Sequence, residues 1–185
     1  MERQSAIVNK ELLEALSRIR LIPDYPYPGI LFRDITPLLG DPRAFETVVN
    51  SFADTEDKPT YVAGLEARGF ILGAAVARAM NAGFIPLRKQ GKLPYQTHQR
   101  SYGLEYGSDA VEVHIDAASS SDSILLIDDV LATGGTAVAG LQLISDLGAR
   151  CTEVAFLLEI ASLGGREKIT SAFPGIEIRS LMVVE

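Results

Sequence analysis

Between residues 61 and 160 the chain alternates short apolar runs with longer amphipathic segments, and this alternation limits the possible folds more than any other feature. The short runs have the length of buried strands, and the longer segments have helical spacing. The predicted strands are YVAGL (61–65), FIPLRK (84–89), VEVHI (111–115), SILLID (123–128) and EVAFLLEI (153–160); the predicted helices are GFILGAAVARAM (69–80) and TAVAGLQLISDLG (136–148). VEVHI alternates as a strand with one solvent-facing side would. The order predicts an α/β fold, a mostly parallel twisted sheet flanked by helices.

The segments before this region differ in kind. DYPYPGILFRDITP (24–37) contains too many prolines for a helix interior, so an extended, looping segment is expected. DPRAFETVVNSFAD (41–54) predicts a helix capped by Asp41, with a proline at its first position. At the N-terminus, Leu12, Leu16 and Ile19 fall on one helical face, which predicts a surface helix rather than a signal peptide.

Composition excludes several classes of protein. The length of 185 residues suits a single domain, 1–185, and no apolar run approaches the roughly 18 residues of a membrane span. Because Cys151 is the only cysteine, no internal disulfide is possible; a buried, inert thiol and a cytoplasmic location are expected. The net charge of -7 argues against nucleic acid or membrane partners. Any polyanionic ligand must therefore be held by local positive features.

Chemistry concentrates in ILLIDDVLATGGTA (124–137). Asp128 and Asp129 follow the last apolar residue of a central strand, and ligands of such sheets bind outside the carboxyl ends of the strands. Five small or hydroxylated residues then form a tight loop that opens the next helix: Ala132, Thr133, Gly134, Gly135 and Thr136. Free backbone N–H groups at such a helix start form an anion cradle, so a phosphate site is predicted.

Two carboxylates beside a phosphate would repel it, so they require another partner. The vicinal hydroxyls of a sugar would donate hydrogen bonds to them, and a divalent cation is the second possibility. A ribose 5-phosphate group is the implied ligand. The plainer interpretation is a solvated turn followed by an ordinary glycine-rich connection. The loop is not a Walker loop, since no Gly-Lys-Ser/Thr follows, and it lacks the dinucleotide-binding glycine spacing.

ILLIDDVLATGGTA resembles the 5-phosphoribosyl pyrophosphate (PRPP) signature of the type I phosphoribosyltransferases, in the form found in adenine- and xanthine-using members. Four further stretches are similar in order and spacing to the adenine-using members, and together they cover most of residues 20–165: DYPYPGILFRDITPLL, AGLEARGF, PLRKQGKLP and SYGLEYGSD. The resemblance implies a hood at about 20–40, a PRPP-binding core at about 60–165 and a flexible lid loop. It implies a homodimer that converts adenine and PRPP into AMP and pyrophosphate, with Mg²⁺ bound mainly through PRPP or pyrophosphate.

The resemblance also assigns the site. Asp128 and Asp129 would hold the ribose, and residues 132–136 its phosphate. Pyrophosphate would be bound by Glu66, Ala67, Arg68, Arg88, Lys89 and Lys92, and the resemblance implies that some of the cations Arg88, Lys89 and Lys92 reach a neighbouring subunit's site. The plainer alternatives are a Glu66–Arg68 salt bridge and solvated cations. A cis peptide is expected between Glu66 and Ala67.

The lid and the hood would complete the site. Residues 95–110 are polar and rich in glycine, which predicts a mobile loop. Within it, Glu105 and Tyr106 match the family's lid motif, and the resemblance implies that they are catalytic residues together with Arg68. Glu105 would exchange a proton with the purine. The plainer alternative is that Glu105 only packs within the loop. In the hood, Phe32 would stack on the adenine while the backbone of Leu31 and Arg33 reads its edge.

Two rival functions remain open. A non-catalytic PRPP sensor, such as a transcriptional regulator, would be expected to carry a basic DNA-binding extension, whereas this chain is acidic without an added domain. A transferase for hypoxanthine or xanthine would use the same PRPP site with a different base contact.

Overall fold

A computed structural model describes residues 10–103 and 109–185. The described residues form two compact units, divided between Asp54 and Thr55. The expectation of a single domain remains a prediction. No helix in the two described ranges combines the length and the apolar character that crossing a membrane requires.

The first unit contains three helices and a two-stranded sheet. Residues 10–16 are helical (α1). Strand β1 (Arg20–Ile22) pairs antiparallel with β2 (Phe32–Asp34), and helices α2 (Thr36–Leu39) and α3 (Pro42–Ala53) follow. The predicted start of α3 is confirmed, because the Asp41 side chain accepts hydrogen bonds from the amides of Arg43 and Ala44.

The second unit is built on a seven-stranded sheet of order β5-β6-β4-β3-β7-β8-β9. Its strands are β3 (Tyr61–Leu65), β4 (Gly83–Lys89), β5 (Thr97–Tyr102), β6 (Asp109–His114), β7 (Ser123–Leu131), β8 (Arg150–Ile160) and β9 (Glu177–Val184). Its helices are α4 (Arg68–Met80), α5 (Gly135–Asp146) and α6 (Gly165–Ala172). The strands β4, β3, β7, β8 and β9 run parallel, which confirms the predicted fold class.

Strand β7 is the middle one of the five parallel strands, and its apolar run lies in the core. Its residues Ile124, Leu125, Leu126 and Ile127 are fully buried, because β3 and β8 pair with its two edges and helices cover its faces. Burial of such side chains stabilises the fold by about 1.5–3 kcal/mol each. The apolar run therefore fixes the position at which its polar continuation emerges.

Two segments differ from the sequence predictions. The strand β7 continues three residues beyond Asp128, because Val130 and Leu131 stay paired with Leu158 and Glu159 of β8. The expected loop after Pro94 is wrong for Thr97–Tyr102. These residues form β5, because the edge of β6 that does not pair with β4 offers antiparallel pairing. The sequence patterns predict neither strand β9 nor helix α6.

Candidate active site

The two adjacent aspartates are the sixth and seventh of the nine residues of β7, so they lie within the strand rather than after it. Asp128 is paired in register with Phe156 of β8, and Ile127 with Gly64 of β3. The carboxyl end of β7 thus lies beside that of β3, where Glu66 and Arg68 begin the next connection. These two strand ends therefore lie side by side at one edge of the sheet.

The glycine-rich loop surrounds an open cavity of about 70 Å³. That volume is several times the roughly 10–15 Å³ that admits one water. Its lining includes the whole predicted cradle, Ala132–Thr136, together with Asp128 and Phe156. Helix α5 begins at Gly135 without a side-chain cap, so its first amide groups remain available for an anion.

Gly134 is the residue that makes this loop possible. Its φ of +76° lies in the left-handed region that favours glycine, and it is the N-cap of α5. A Cβ atom there would lie 2.7 Å from the carbonyl oxygen of Gly165, which is backbone that cannot move cheaply. The loop is therefore held against the start of α6.

The electrostatics of the acidic pair are unusual. Asp128 keeps some surface toward the cavity but is otherwise enclosed by protein, and this burial raises the pKa of its carboxyl well above the ordinary value; the neighbouring Asp129 charge raises it further. Burial also raises the pKa of Asp129, and the Arg68 charge opposes that rise only in part. Both acids would gain from hydrogen-bond donors supplied by a ligand.

Arg68 connects the β3 end to this pair. It is the first residue of α4, and its Nη2 atom lies 2.9 Å from Oδ2 of Asp129, which is 7% exposed. Although it has this ion-pair contact, Oδ2 accepts no aligned hydrogen bond. The predicted cis peptide between Glu66 and Ala67 is confirmed. Helix α4 approaches β7 closely through Gly69, where a Cβ would lie 2.9 Å from the Ile127 carbonyl oxygen.

Glu66 pairs with β4 and not with Arg68. Its Oε2 accepts a hydrogen bond of 2.8 Å from the Lys89 amide and lies 3.4 Å from Nε of Arg88. Burial alone would raise the pKa of Glu66, but the amide and the guanidinium together lower it. The alternative of a Glu66–Arg68 salt bridge is therefore wrong, and Glu66 ties together two segments predicted to bind pyrophosphate.

The predicted cations lie at the end of β4 and just beyond it. The side chain of Arg88 is 33% exposed, and its Nη1 donates to the Lys92 carbonyl oxygen over 3.2 Å. Nζ of Lys89 lies 3.6 Å from Asp109, and both side chains are more than half exposed. Such a surface pair contributes little to stability, so Lys89 can exchange Asp109 for a ligand at small cost.

Glu112 lies at the candidate site, although the sequence did not predict it there. The sequence predicted a strand with one solvent-facing side, but Glu112 is only 4% exposed. Its Oε1 accepts hydrogen bonds of 2.9 Å from the amides of both Lys92 and Leu93. Burial would raise the pKa of Glu112, whereas these amides and that of Gly91 lower it. The carboxylate of Glu112, on β6, thus holds in place the loop after β4 that carries Lys92.

The hood residues lie together in the first unit. The ring of Phe32 packs edge-on against Tyr25, with centroids 5.2 Å apart. Leu31 is exposed, and its carbonyl oxygen accepts a hydrogen bond from Nη1 of Arg33. A wider cavity of about 500 Å³ also lies in this unit; its lining mixes acidic and basic residues and contains no predicted site residue. The lid residues Glu105 and Tyr106 lie outside the described residues.

Cys151 has no part in this arrangement. Burial raises the pKa of its thiol to about 12, which agrees with the predicted inert cysteine.

A parallel sheet, a glycine-rich anion cradle and an acidic pair at one strand end define the class of protein. Residues 43–173 match the family described as the phosphoribosyl transferase domain. The chain therefore belongs to the phosphoribosyltransferase family.

Comparison with individual proteins narrows the group. The chain is 49% identical over 172 residues to adenine phosphoribosyltransferase of Chelativorans sp. (strain BNC1), covering 92% of this chain and 94% of the relative. The crystal structure of adenine phosphoribosyltransferase from Thermoanaerobacter pseudethanolicus matches with a TM-score of 0.87 at 41% identity, covering 94% of this chain and 99% of that one. The enzyme from Saccharomyces cerevisiae, in complex with an imino-altritol bisphosphate and adenine, matches with a TM-score of 0.84 at 35% identity, covering 95% and 99%. Within the family, the chain stands with the adenine phosphoribosyltransferases.

Proposed function

We propose that this chain catalyses purine salvage by transferring the 5-phosphoribosyl group of PRPP to adenine, giving AMP and pyrophosphate. One observation carries the proposal: a cavity lined by Ala132–Thr136 also contains Asp128, at the carboxyl end of the central strand. A phosphate-binding loop and an acceptor for sugar hydroxyls thus share one cavity, in a chain that matches an adenine phosphoribosyltransferase over 92% of its length. The chain is accordingly a pentosyltransferase.

The ribose 5-phosphate part of PRPP fits the β7 end. The amides of residues 132–136 receive the 5-phosphate, and the α5 dipole adds about 0.3–1 kcal/mol to anion binding. Asp128 and Asp129 accept hydrogen bonds from the two ribose hydroxyls. Those hydroxyls supply the donors that the buried Oδ2 of Asp129 lacks in the free protein.

The pyrophosphate part fits the ends of β3 and β4. Arg68, Arg88, Lys89 and Lys92 provide the cations, with the Ala67 amide beside them, while Glu66 holds the two segments in place. Binding requires Arg68 to divide its guanidinium between Asp129 and phosphate oxygens, which its planar group of donors permits.

Mg²⁺ is part of the proposal, bound mainly through oxygens of PRPP or pyrophosphate. The described residues contain no group of three His, Cys, Asp or Glu side chains able to hold a metal ion by themselves. The carboxylates of Asp128 and Asp129 are hard oxygen ligands of the type that Mg²⁺ accepts, so the site is chemically compatible with it. The ion would neutralise charge on the departing pyrophosphate.

The reaction is a substitution at the anomeric carbon. A ring nitrogen of adenine forms a bond to that carbon, while the carbon–oxygen bond to pyrophosphate breaks and its electron pair leaves with the oxygen. The purine loses one proton, for which Glu105 is the proposed acceptor beside Tyr106. The Arg68 and β4 cations stabilise the leaving charge, and the two aspartates hold the ribose in place.

Adenine recognition is assigned to the hood. Phe32 stacks on the base, and the backbone of Leu31 and Arg33 faces its polar edge. An oxopurine would place a carbonyl where the amine of adenine donates, leaving buried polar groups unpaired. Adenine is bound in the crystal of the Saccharomyces relative, which supports this choice of base.

The proposal includes a homodimer and a cytoplasmic location. Light scattering of the purified chain and fractionation of expressing cells would test these two points; a monomer or a membrane-associated protein would contradict them.

Steady-state assays with PRPP and magnesium test the function directly. Adenine, hypoxanthine and xanthine are compared at equal concentration, with pyrophosphate release and nucleotide formation measured together. We expect turnover with adenine. Preference for an oxopurine would refute the base assignment, and no turnover with any purine, despite PRPP binding, would support the sensor.

A further inference from the structure

Two glutamate–arginine pairs have their buried glutamates on the same strand, β8, toward its opposite ends. Glu153 pairs with Arg179 and Glu159 pairs with Arg166; the two carboxylates are 3% and 4% exposed. Six residues separate them along the strand, which corresponds to roughly 20 Å. Both are carboxylate–guanidinium pairs, but only one of them lies beside the glycine-rich loop.

The Glu159 pair lies at the phosphate loop. Glu159 is paired in register with Leu131, the last residue of β7 before the loop. Arg166 donates from Nε to Oε1 of Glu159 over 2.9 Å and from Nη1 to the Ile178 carbonyl oxygen over 2.9 Å. The Ser180 hydroxyl donates to Oε2 of Glu159 over 2.6 Å. Arg166, the second residue of α6, is thereby fastened to β8 and β9.

The residue before Arg166 touches the loop itself. A Cβ on Gly165 would lie 2.3 Å from the Ala132 carbonyl oxygen and 3.0 Å from the Gly134 nitrogen. The start of α6 and the loop are therefore in direct backbone contact. A displacement of α6 would move the amides that face the cavity, and small displacements of binding groups have large effects on ligand use.

We propose that Glu159 and Arg166 are positioning residues, which hold Gly165 against the loop and so set the geometry of the 5-phosphate amides. The inference rests on the proposed function, since it assigns the device to PRPP binding. Glu153 and Arg179 are the matched comparison, because their register partner on β7 is Leu125, at the far end from the loop.

The test compares Glu159→Gln with Glu153→Gln. Both variants are expected to lower Tm to a similar extent, because each weakens a buried ion pair. Only Glu159→Gln is expected to raise KM for PRPP, by about tenfold, with kcat and KM for adenine nearly unchanged. The affinity for ribose 5-phosphate, measured by calorimetry, is expected to fall by the same factor in that variant alone.

A milder variant guards against misfolding. Ser180→Ala removes one hydrogen bond to Glu159 and is expected to raise KM for PRPP about threefold. Unchanged KM for PRPP and unchanged ribose 5-phosphate affinity in Glu159→Gln and Ser180→Ala would overturn the inference, as would an equal effect of Glu153→Gln. Failure of the proposed function would appear instead in the unmodified chain, as lack of turnover.

Discussion

The site contains two sets of carboxylates whose pKa values shift in opposite directions. Glu112 and Asp129 are buried, and Glu66 and Asp128 are partly buried. Glu66 and Glu112, beside β4, accept hydrogen bonds from backbone amides, and the pKa of each is lowered. Asp128 and Asp129, at the end of β7, lie against each other with Arg68 as the nearby cation, and the pKa of each is raised. In the first set, hydrogen bonds from the protein outweigh the effect of burial on the pKa. In the second set, the Asp129 amide that donates to Asp128 and the Arg68 charge do not outweigh it.

This difference distinguishes carboxylates that support the fold from carboxylates that are available to bind a ligand. A carboxylate whose acceptor sites are filled by amides stabilises the fold and has little to offer a ligand. A carboxylate that is buried beside a like charge destabilises the free protein, and it recovers that free energy when a ligand donates hydrogen bonds. The comparison predicts that variants of the two sets differ in the sign of their effect on stability and in the size of their effect on KM for PRPP.

The largest effect is expected from Asp129→Asn. It removes a charged acceptor from the proposed ribose contact, and hydrogen bonds to charged groups are worth about 1.5–3 kcal/mol, so KM for PRPP should rise about 10–100-fold. Steady-state kinetics with adenine held saturating would measure it. Asp57→Asn is the control, because that residue forms a solvent-exposed pair with Arg150. Normal PRPP kinetics in Asp129→Asn would remove the ribose role.

Glu112→Gln should act first on stability. It replaces the acceptor of the Lys92 and Leu93 amides with a neutral group, one of whose atoms is a donor, and we expect unfolding free energy to fall by about 1–3 kcal/mol. Denaturant titration would measure this loss. Because the loop that carries Lys92 would be held less firmly, KM for PRPP should also rise several-fold, but less than in Asp129→Asn. A variant as stable as the parent would show that Glu112 is not a support.

Asp128→Asn should do the reverse and stabilise the free protein. The raised pKa means that ionisation of Asp128 is less favourable in the folded state than in the unfolded state. The penalty is absent below the unfolded pKa and grows as pH rises through the folded value. The gain in Tm over the parent chain should therefore be seen at neutral pH and vanish in acid, while PRPP use weakens. A lower Tm at neutral pH would contradict the comparison.

The smallest effect is expected in the pH dependence of the unmodified chain. Ribose hydroxyls donate to ionised carboxylates, so ligand binding lowers the pKa of the Asp128–Asp129 pair and releases protons. Affinity for ribose 5-phosphate should fall as pH decreases through the raised pKa of the pair. Calorimetry in buffers of different ionisation enthalpy would detect the released protons, and binding without proton release would count against the pair.

For Glu66 and Glu112 the pH dependence of stability has the opposite sign to that of Asp128. Their lowered pKa stabilises the fold above the unfolded-state pKa, and this stabilisation is lost as pH falls through the folded-state pKa.

The elements that local pattern can specify were predicted from the sequence. Apolar runs and helical spacing identified β3, α4, β7 and α5, and small residues identified the cradle at 132–136. The cis peptide at Glu66–Ala67 came from family resemblance alone, since no periodicity encodes it.

Contacts between distant segments were not predictable in the same way. The partner of Glu66 is Lys89, across the β3–β4 pair, and that of Glu159 is Arg166 of a helix whose sequence has little apolar character. β5 has the polar sequence THQRSY and exists because β6 offers it a partner, so pairing overrode its local pattern.

A crystal structure with AMP bound tests the central claim most directly. The account predicts phosphate oxygens within about 2.7–3.2 Å of amides in residues 132–136, with both ribose hydroxyls donating to Asp128 and Asp129. A nucleotide bound elsewhere, with that loop carrying no phosphate, would contradict it.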